Sequence, residues 1–508
     1  MSDNTRIAKN AVFLYIRMFI SMAVGLYTSR VVLNTLGVED YGIYGVVGGI
    51  VGMFGFLNAS MGTATARFIA YESGTGDQQR LNETFVSASY IHWAIAGIVF
   101  ILAETVGLWF LCNKLVIPAD RMYAAHWVYQ LSIVSAMLGI SQVPYSSVIV
   151  AHEKMDIFAY FELLSVTLKL LIVYLLVIGN YDKLILFSIL NFCVALFMRS
   201  LWRIYSIAHY PESKLRLTWK PEIIKPMLTF SGWNLYGSIC VIARQQGINF
   251  VINIFFGVIL NAASSIATTV QGVVKAFTGN VTFAFQPHII KQYAKDDISG
   301  MEISLLNVIT LALVVISVIT LPLYIETDFI LKLWLNIPPK EASIFCSILL
   351  LSGPFSLLNN IFFIPVQATG NVRTSSFVTG TLFLLCLPAT YLSYKLGKPA
   401  VYAYYFILVA NILILISNII LTHKQVPRLN IKRLVFPIVY AILIFITALT
   451  LTTYLVTTNF QPSLGRLIAS ATTSVAVCLF LDYFLLLNRD QRFSVKSRVS
   501  TFLRKLHL

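Results

Sequence analysis

Apolar runs of about 20 residues, each long enough to cross the ~30 Å hydrocarbon core of a bilayer as a helix, recur along almost the whole chain. A backbone in lipid must satisfy its own polar groups, so this repetition points to an all-α polytopic membrane protein. About fourteen runs are counted, near 11 to 34, 43 to 66, 85 to 111, 125 to 150, 157 to 178, 184 to 205, 227 to 256, 262 to 287, 303 to 325, 342 to 366, 375 to 394, 400 to 422, 434 to 456 and 465 to 487. With 57% hydrophobic and 12% charged residues, the 508-residue chain excludes an ordinary soluble domain.

A net charge of +15 would suggest nucleic acid in a soluble protein, but here Lys and Arg follow topology. With the N-terminus inside, about 24 of the 37 fall on cytoplasmic segments, about 8 outside and about 5 within spans. The richest inside segments are 199 to 225, 424 to 433 and the tail from Arg489. An even number of spans returns the C-terminus to the cytoplasm. Arg6 and Lys9 precede a first run that is interrupted by Arg17 and has no cleavage site, so it reads as a retained span. Six cysteines lie singly in or beside apolar runs and read as inert core residues.

The eighth run carries a lysine at mid-depth. Ser264, Thr268, Gln271, Lys275, Thr278 and Thr282 are spaced four, three, four, three and four apart. At ~100° per residue they form one polar stripe. A lysine near the bilayer centre costs ~3 kcal/mol, so Lys275 is expected to face a watery cavity or a partner. The seventh run places Asn234, Ser238, Gln245, Asn249 and Asn253 on one broad face with Arg244 beside it. The first carries Arg17, with Ser21 a turn on. Arg30 lies near the outer end on a different face, where snorkelling to the headgroups is an equal alternative. Glu162 and Lys169, two turns apart on one face, are expected to neutralise each other. Glu104 has no evident local partner and reads as either a protonatable group or a hydrogen-bonding one. Arg67 and Glu72 close the inner end of the second run as solvated or gating residues.

Shifting the chain by about 220 residues lays Gly37 on Gly257, Val38 on Val258 and Gly52 on Gly272. A shift of about 217 lays Ala151-His152-Glu153-Lys154 on Ala368-Thr369-Gly370-Asn371. Two similar offsets suggest a duplicated six-span unit whose copies share orientation, with substrate sites between them. The expected organisation is an N-terminal half (1–208), a basic linker (209–225), a C-terminal half (226–423), an appended helix pair (424–488) and a basic tail (489–508). The tail reads equally as an interfacial helix or a disordered segment. Small-residue pairs at Gly45 with Gly49 and Gly48 with Gly52 favour close helix packing. The chain has no GxxxxGK[ST] loop, HExxH or metal-spaced Cys/His cluster, which disfavours an ATP-driven pump.

Leu36-Gly37-Val38-Glu39-Asp40-Tyr41-Gly42, the Ala-Arg67-Phe stretch and Gln367-Ala368-Thr369-Gly370-Asn371-Val372-Arg373 resemble bacterial polysaccharide flippases of the MOP superfamily. These Wzx-type exporters of O-antigen and capsule units are relatives of the lipid II flippase and of MATE drug exporters. The resemblance implies a non-enzymatic transporter in the bacterial inner membrane with both termini cytoplasmic. It would carry undecaprenyl-pyrophosphate-linked oligosaccharide outward by alternating access, in lipopolysaccharide or capsule synthesis, with polysaccharide polymerase machinery as a further partner. It implies cavity cations from spans 1, 2, 7 and 8. Arg17, Arg244 and Lys275 fit three of these, while span 2 offers only Gly55 opposite Lys275. No cofactor is expected, and ion coupling is left open. A cation-coupled exporter and a membrane glycan polymerase or ligase are the alternatives.

Overall fold

The computed structural model describes residues 3–486 and 492, apart from 53–54, 114–116, 177–180, 217, 336 and 340; among them it contains helices and no strands. We number the long helices α1 (Asp3–Gly52), α2 (Gly55–Thr75), α3 (Gln78–Asn113), α4 (Met122–Ala151), α5 (Met155–Leu175), α6 (Lys183–His209) and α7 (Pro221–Ala294). They continue as α8 (Ile298–Ile325), the short α9 (Thr327–Leu335), α10 (Ala342–Thr369), α11 (Arg373–Lys395), α12 (Tyr402–Gln425), α13 (Ile431–Val456) and α14 (Leu464–Leu485). Eleven helices among the described residues are long and apolar enough to cross a membrane. The runs near 11 to 34, 43 to 66 and 262 to 287 fall outside the eleven; in the last, the polar stripe around Lys275 lowers the hydropathy.

Two helices are bent where glycine permits it. Gly37 inside α1 lies at φ 83°, ψ 169°, and Gly257 inside α7 at φ 76°, ψ −171°, a region open essentially to glycine alone. They are the pair matched by the 220-residue shift. The same shift takes Gly76 (φ 81°) to Asp296 (φ 57°). It also takes the N-cap Asp77, whose carboxylate accepts from the Arg80 amide, to the N-cap Asp297, which accepts from the Gly300 amide. At the 217-residue shift, Glu153 (φ 59°) meets Gly370 (φ 82°). Local backbone geometry therefore recurs where sequence identity has almost vanished.

The chain forms two compact units. The first comprises Met1–Ser238 with Gln286–Asp296 and Gly370–Arg373. Its core is built on the fully buried rings of Phe85, Tyr129, Tyr145 and Trp202. Tyr129 donates to the Ala103 carbonyl at 2.6 Å, where α3 makes a π turn. The linker is anchored by an acid in a basic stretch: Glu212 holds His152 at 2.6 Å and Gln78 at 2.8 Å. Burial acts to raise the Glu212 carboxyl, but the bonds from His152, the backbone and Gln78 outweigh it and hold the group below its ordinary value.

The second unit comprises Ile239–Phe285, Asp297–Thr369 and Thr374–Leu508. Its helices are clasped by buried polar pairs, a device suited to lipid, where apolar contact alone drives little association. Asn359 donates to the Asn411 carbonyl at 3.1 Å, and Ser375 to Asn418 Oδ1 at 2.7 Å. The α13–α14 pair is fixed by Arg466, which reaches the fully buried Glu326 at 2.7 Å. Four cysteines are buried, whereas Cys112 and Cys193 are exposed on their helices and are not core residues. The tail beyond Arg492, the side chain of Arg30 and the surroundings of Gly45, Gly48, Gly49, Gly52 and Gly55 lie outside what the structure describes.

Candidate functional site

The bend at Gly257 folds the two arms of α7 against each other, and the polar faces predicted for both arms meet. Ser264 on the second arm donates to Asn249 Oδ1 on the first at 2.8 Å. Beside this contact is a cavity of about 200 Å³ lined by Arg244, Gln245, Asn249, Ser264, Thr268, Gln271 and Lys275. Leu349 of α10 and Tyr404 and Ile407 of α12 complete its wall. A smaller cavity of about 100 Å³ shares Gln271 and Lys275 and runs past Thr278 to Asn360. Gln271 is oriented by Ser352 Oγ at 3.3 Å.

Neither cavity has an Asp or Glu in its described lining. The Arg244 guanidinium rests over the Phe383 ring, 4.7 Å from its centroid, and its buried Nε has no hydrogen-bond partner. The Lys275 side chain is exposed to its cavity. Two cations thus face one polar space with no acid to neutralise them. Such an arrangement attracts an anion, and hydroxyl and amide groups around it can bond a polyhydroxylated neighbour.

The remaining candidates are placed in the first unit. Arg17 is half-buried, 5.6 Å from the centroid of the Phe158 ring. Asn234 is half-buried with its Nδ2 unbonded. Arg67 is buried among aromatic rings, 4.5 Å from that of Phe68 and 4.8 Å from that of Tyr71. A Cβ at Gly370 would meet its Nη2 at 3.1 Å, so Arg67 is a packed element of the α10–α11 junction. Glu72 pairs with Arg80 at 3.4 Å. Glu104 lies in the π turn of α3 with its buried Oε1 unbonded.

The expected neutralisation of two charges in the first unit is corrected. Glu162 and Lys169 make no ion pair among the described residues; both instead line a first-unit cavity of about 350 Å³. Two helical turns separate their Cα atoms by ~10 Å along the axis, too far for the shared face to bring the charged ends together. The other polar walls of this cavity were not anticipated, although Ser132, Ser135, Gly139 and Gln142 on α4 carry the same three-four-three spacing as the Lys275 stripe.

These features define a polytopic all-helical membrane protein with two compact units and a cationic cavity at a bent helix. No family model matches the sequence, and no curated protein matches it. The fold itself is that of MATE-family transporters. An outward-facing multidrug resistance MATE family transporter of the MOP superfamily superposes with a TM-score of 0.71 over 84% of this chain and 96% of that one, at 12% identity. A MATE protein in its straight conformation gives 0.70 over 84% and 96%, at 13% identity. A MOP superfamily transporter from Pyrococcus furiosus, described as having a binding pocket of reverse polarity that suggests a different function, gives 0.69 over 84% and 96%, at 12% identity.

Proposed function

We propose that the protein is a flippase for undecaprenyl-pyrophosphate-linked oligosaccharide, working by alternating access in the bacterial inner membrane for O-antigen or capsule synthesis. The observation that carries this reading is the acid-free cavity lined by both Arg244 and Lys275. A pyrophosphate leaving water needs fixed cations and hydrogen-bond donors in place of its hydration shell. The amides and hydroxyls of Gln245, Asn249, Ser264, Thr268 and Gln271 suit the attached sugars, while the isoprenoid chain stays in lipid. Arg17 is the third cation of this reading. Fourteen spans, two six-helix halves with an added pair, and cytoplasmic termini complete the scheme.

The decisive experiment replaces Arg17, Arg244 and Lys275 by Ala and measures surface glycan in cells where insertion is verified. Export should cease; normal export by the triple variant overturns the assignment. The fold favours a second reading, a cation-coupled small-molecule exporter. The Pyrococcus furiosus protein is a precedent for altered pocket polarity on this scaffold, and a cavity with two cations repels cationic drugs. Efflux of such drugs from vesicles free of lipid carrier would favour the exporter instead.

A further inference from the structure

The first unit contains a polar cavity of its own. It is a cleft lined by α4, α5, α6 and Tyr44 of α1 and measures about 350 Å³, within the ~300–1,000 Å³ range of small-ligand sites. Its walls are polar although all three helices are apolar enough to cross a membrane. Ser132, Ser135 and Gln142 from α4 and Glu162, Ser165 and Lys169 from α5 all line it. None of these six is bonded to another described group. Polar side chains at membrane depth require partners, and here the partners must come from whatever fills the space.

The character of the walls limits the occupant. Glu162 supplies a carboxylate and Lys169 an ammonium group, unpaired with each other, so the cavity holds opposite charges and favours no ion of either sign. Hydroxyls and amides provide both donors and acceptors. Tyr44, half-buried against Phe187, supplies an aromatic group for the apolar face of a pyranose, whereas Trp202, 1% exposed and packed by Phe158 and Phe161, serves as core. We propose that this cavity is a binding site for an uncharged or zwitterionic polyol, with a disaccharide as the class of ligand that fits. Sugar binding here is independent of whether Arg244 and Lys275 hold a pyrophosphate.

The test titrates the purified full-length protein in nanodiscs with chitobiose, reading saturable binding by calorimetry. The wild type should bind, and E162Q and K169M should each weaken binding about tenfold, the scale of one hydrogen bond to a charged group. Should either variant fail to fold, Ser135→Ala combined with Ser165→Ala carries the same expectation. A folded wild type that does not bind overturns the site, as does binding that survives all these changes. Saturation by sodium ion with no response to chitobiose would reassign the cavity to a cation and equally overturn it. Because no export is measured, failure here leaves the flippase reading untouched, and loss of export in the Arg244 and Lys275 variants leaves this site untouched.

Discussion

The two units share local backbone geometry and differ in the chemistry of their cavities. The first unit's cavity holds an unpaired acid and base, and the second's holds two bases and no acid in its described lining. None of these charges is repeated. The positions answering to Arg244 and Lys275 at the 220-residue shift are Val24 and Gly55, and those answering to Glu162 and Lys169 at the 217-residue shift are Thr379 and Cys386. The bends and caps that set helix direction therefore recur at the matched positions, while the charged side chains differ.

The largest expected effect comes from erasing that difference. Gln271→Glu places a carboxylate one turn from Lys275 in the second cavity, where an i, i+4 pair would consume the cation. Losing a charge partner at a buried site costs ~2–5 kcal/mol, so binding of inorganic pyrophosphate to the purified protein should weaken by about 30-fold or more. Unchanged pyrophosphate affinity in a folded variant would show that the acid-free lining does not govern anion binding.

A smaller effect tests the shared geometry. A Cβ at Gly37 or Gly257 would touch nothing within 4 Å, so substitution there acts through backbone strain alone. Gly37→Ala and Gly257→Ala should each destabilise by ~1–3 kcal/mol, read as lowered thermal midpoints of similar size. A large inequality would mean that the two bends are not equivalent. The capping pair is milder still: Asp77→Ala and Asp297→Ala should each cost ~1 kcal/mol.

Much of this was legible in the sequence because it is local. Glycines recurring at one offset turned out to lie at both bends, and three-four spacing marked the polar face of Lys275. What the spacing could not supply is distance. The shared face of Glu162 and Lys169 suggested neutralisation, yet a helical wheel discards the ~10 Å of rise between them. Nor could it supply partners remote in the chain. Phe383 beneath Arg244 and Tyr404 in the cavity wall come from helices more than a hundred residues further on, and nothing in their own segments distinguishes them from packing aromatics.

The smallest effect concerns a feature that only the first unit has. Arg121 bonds Asp40 at 2.8 Å and Asp182 at 2.7 Å, tying three connections together outside the spans. The corresponding positions in the second unit are Leu260, Pro338 and Pro399, which cannot form such a network. Burial acts to raise the Asp182 carboxyl, but hydrogen bonds from Arg121 and from the amides at the start of α6 outweigh it and hold it below its ordinary value. A depressed folded value means that the stabilisation is present above the unfolded value of ~3.9 and is lost as pH falls through the folded one. The thermal midpoint of wild type should therefore exceed that of Asp182→Asn at neutral pH, with the gap closing progressively as the pH is lowered below about 4. The pair is partly exposed, so the gap should be small and should shrink further in high salt. A gap that persists unchanged into strong acid would show that the charge of Asp182 does not carry its contribution.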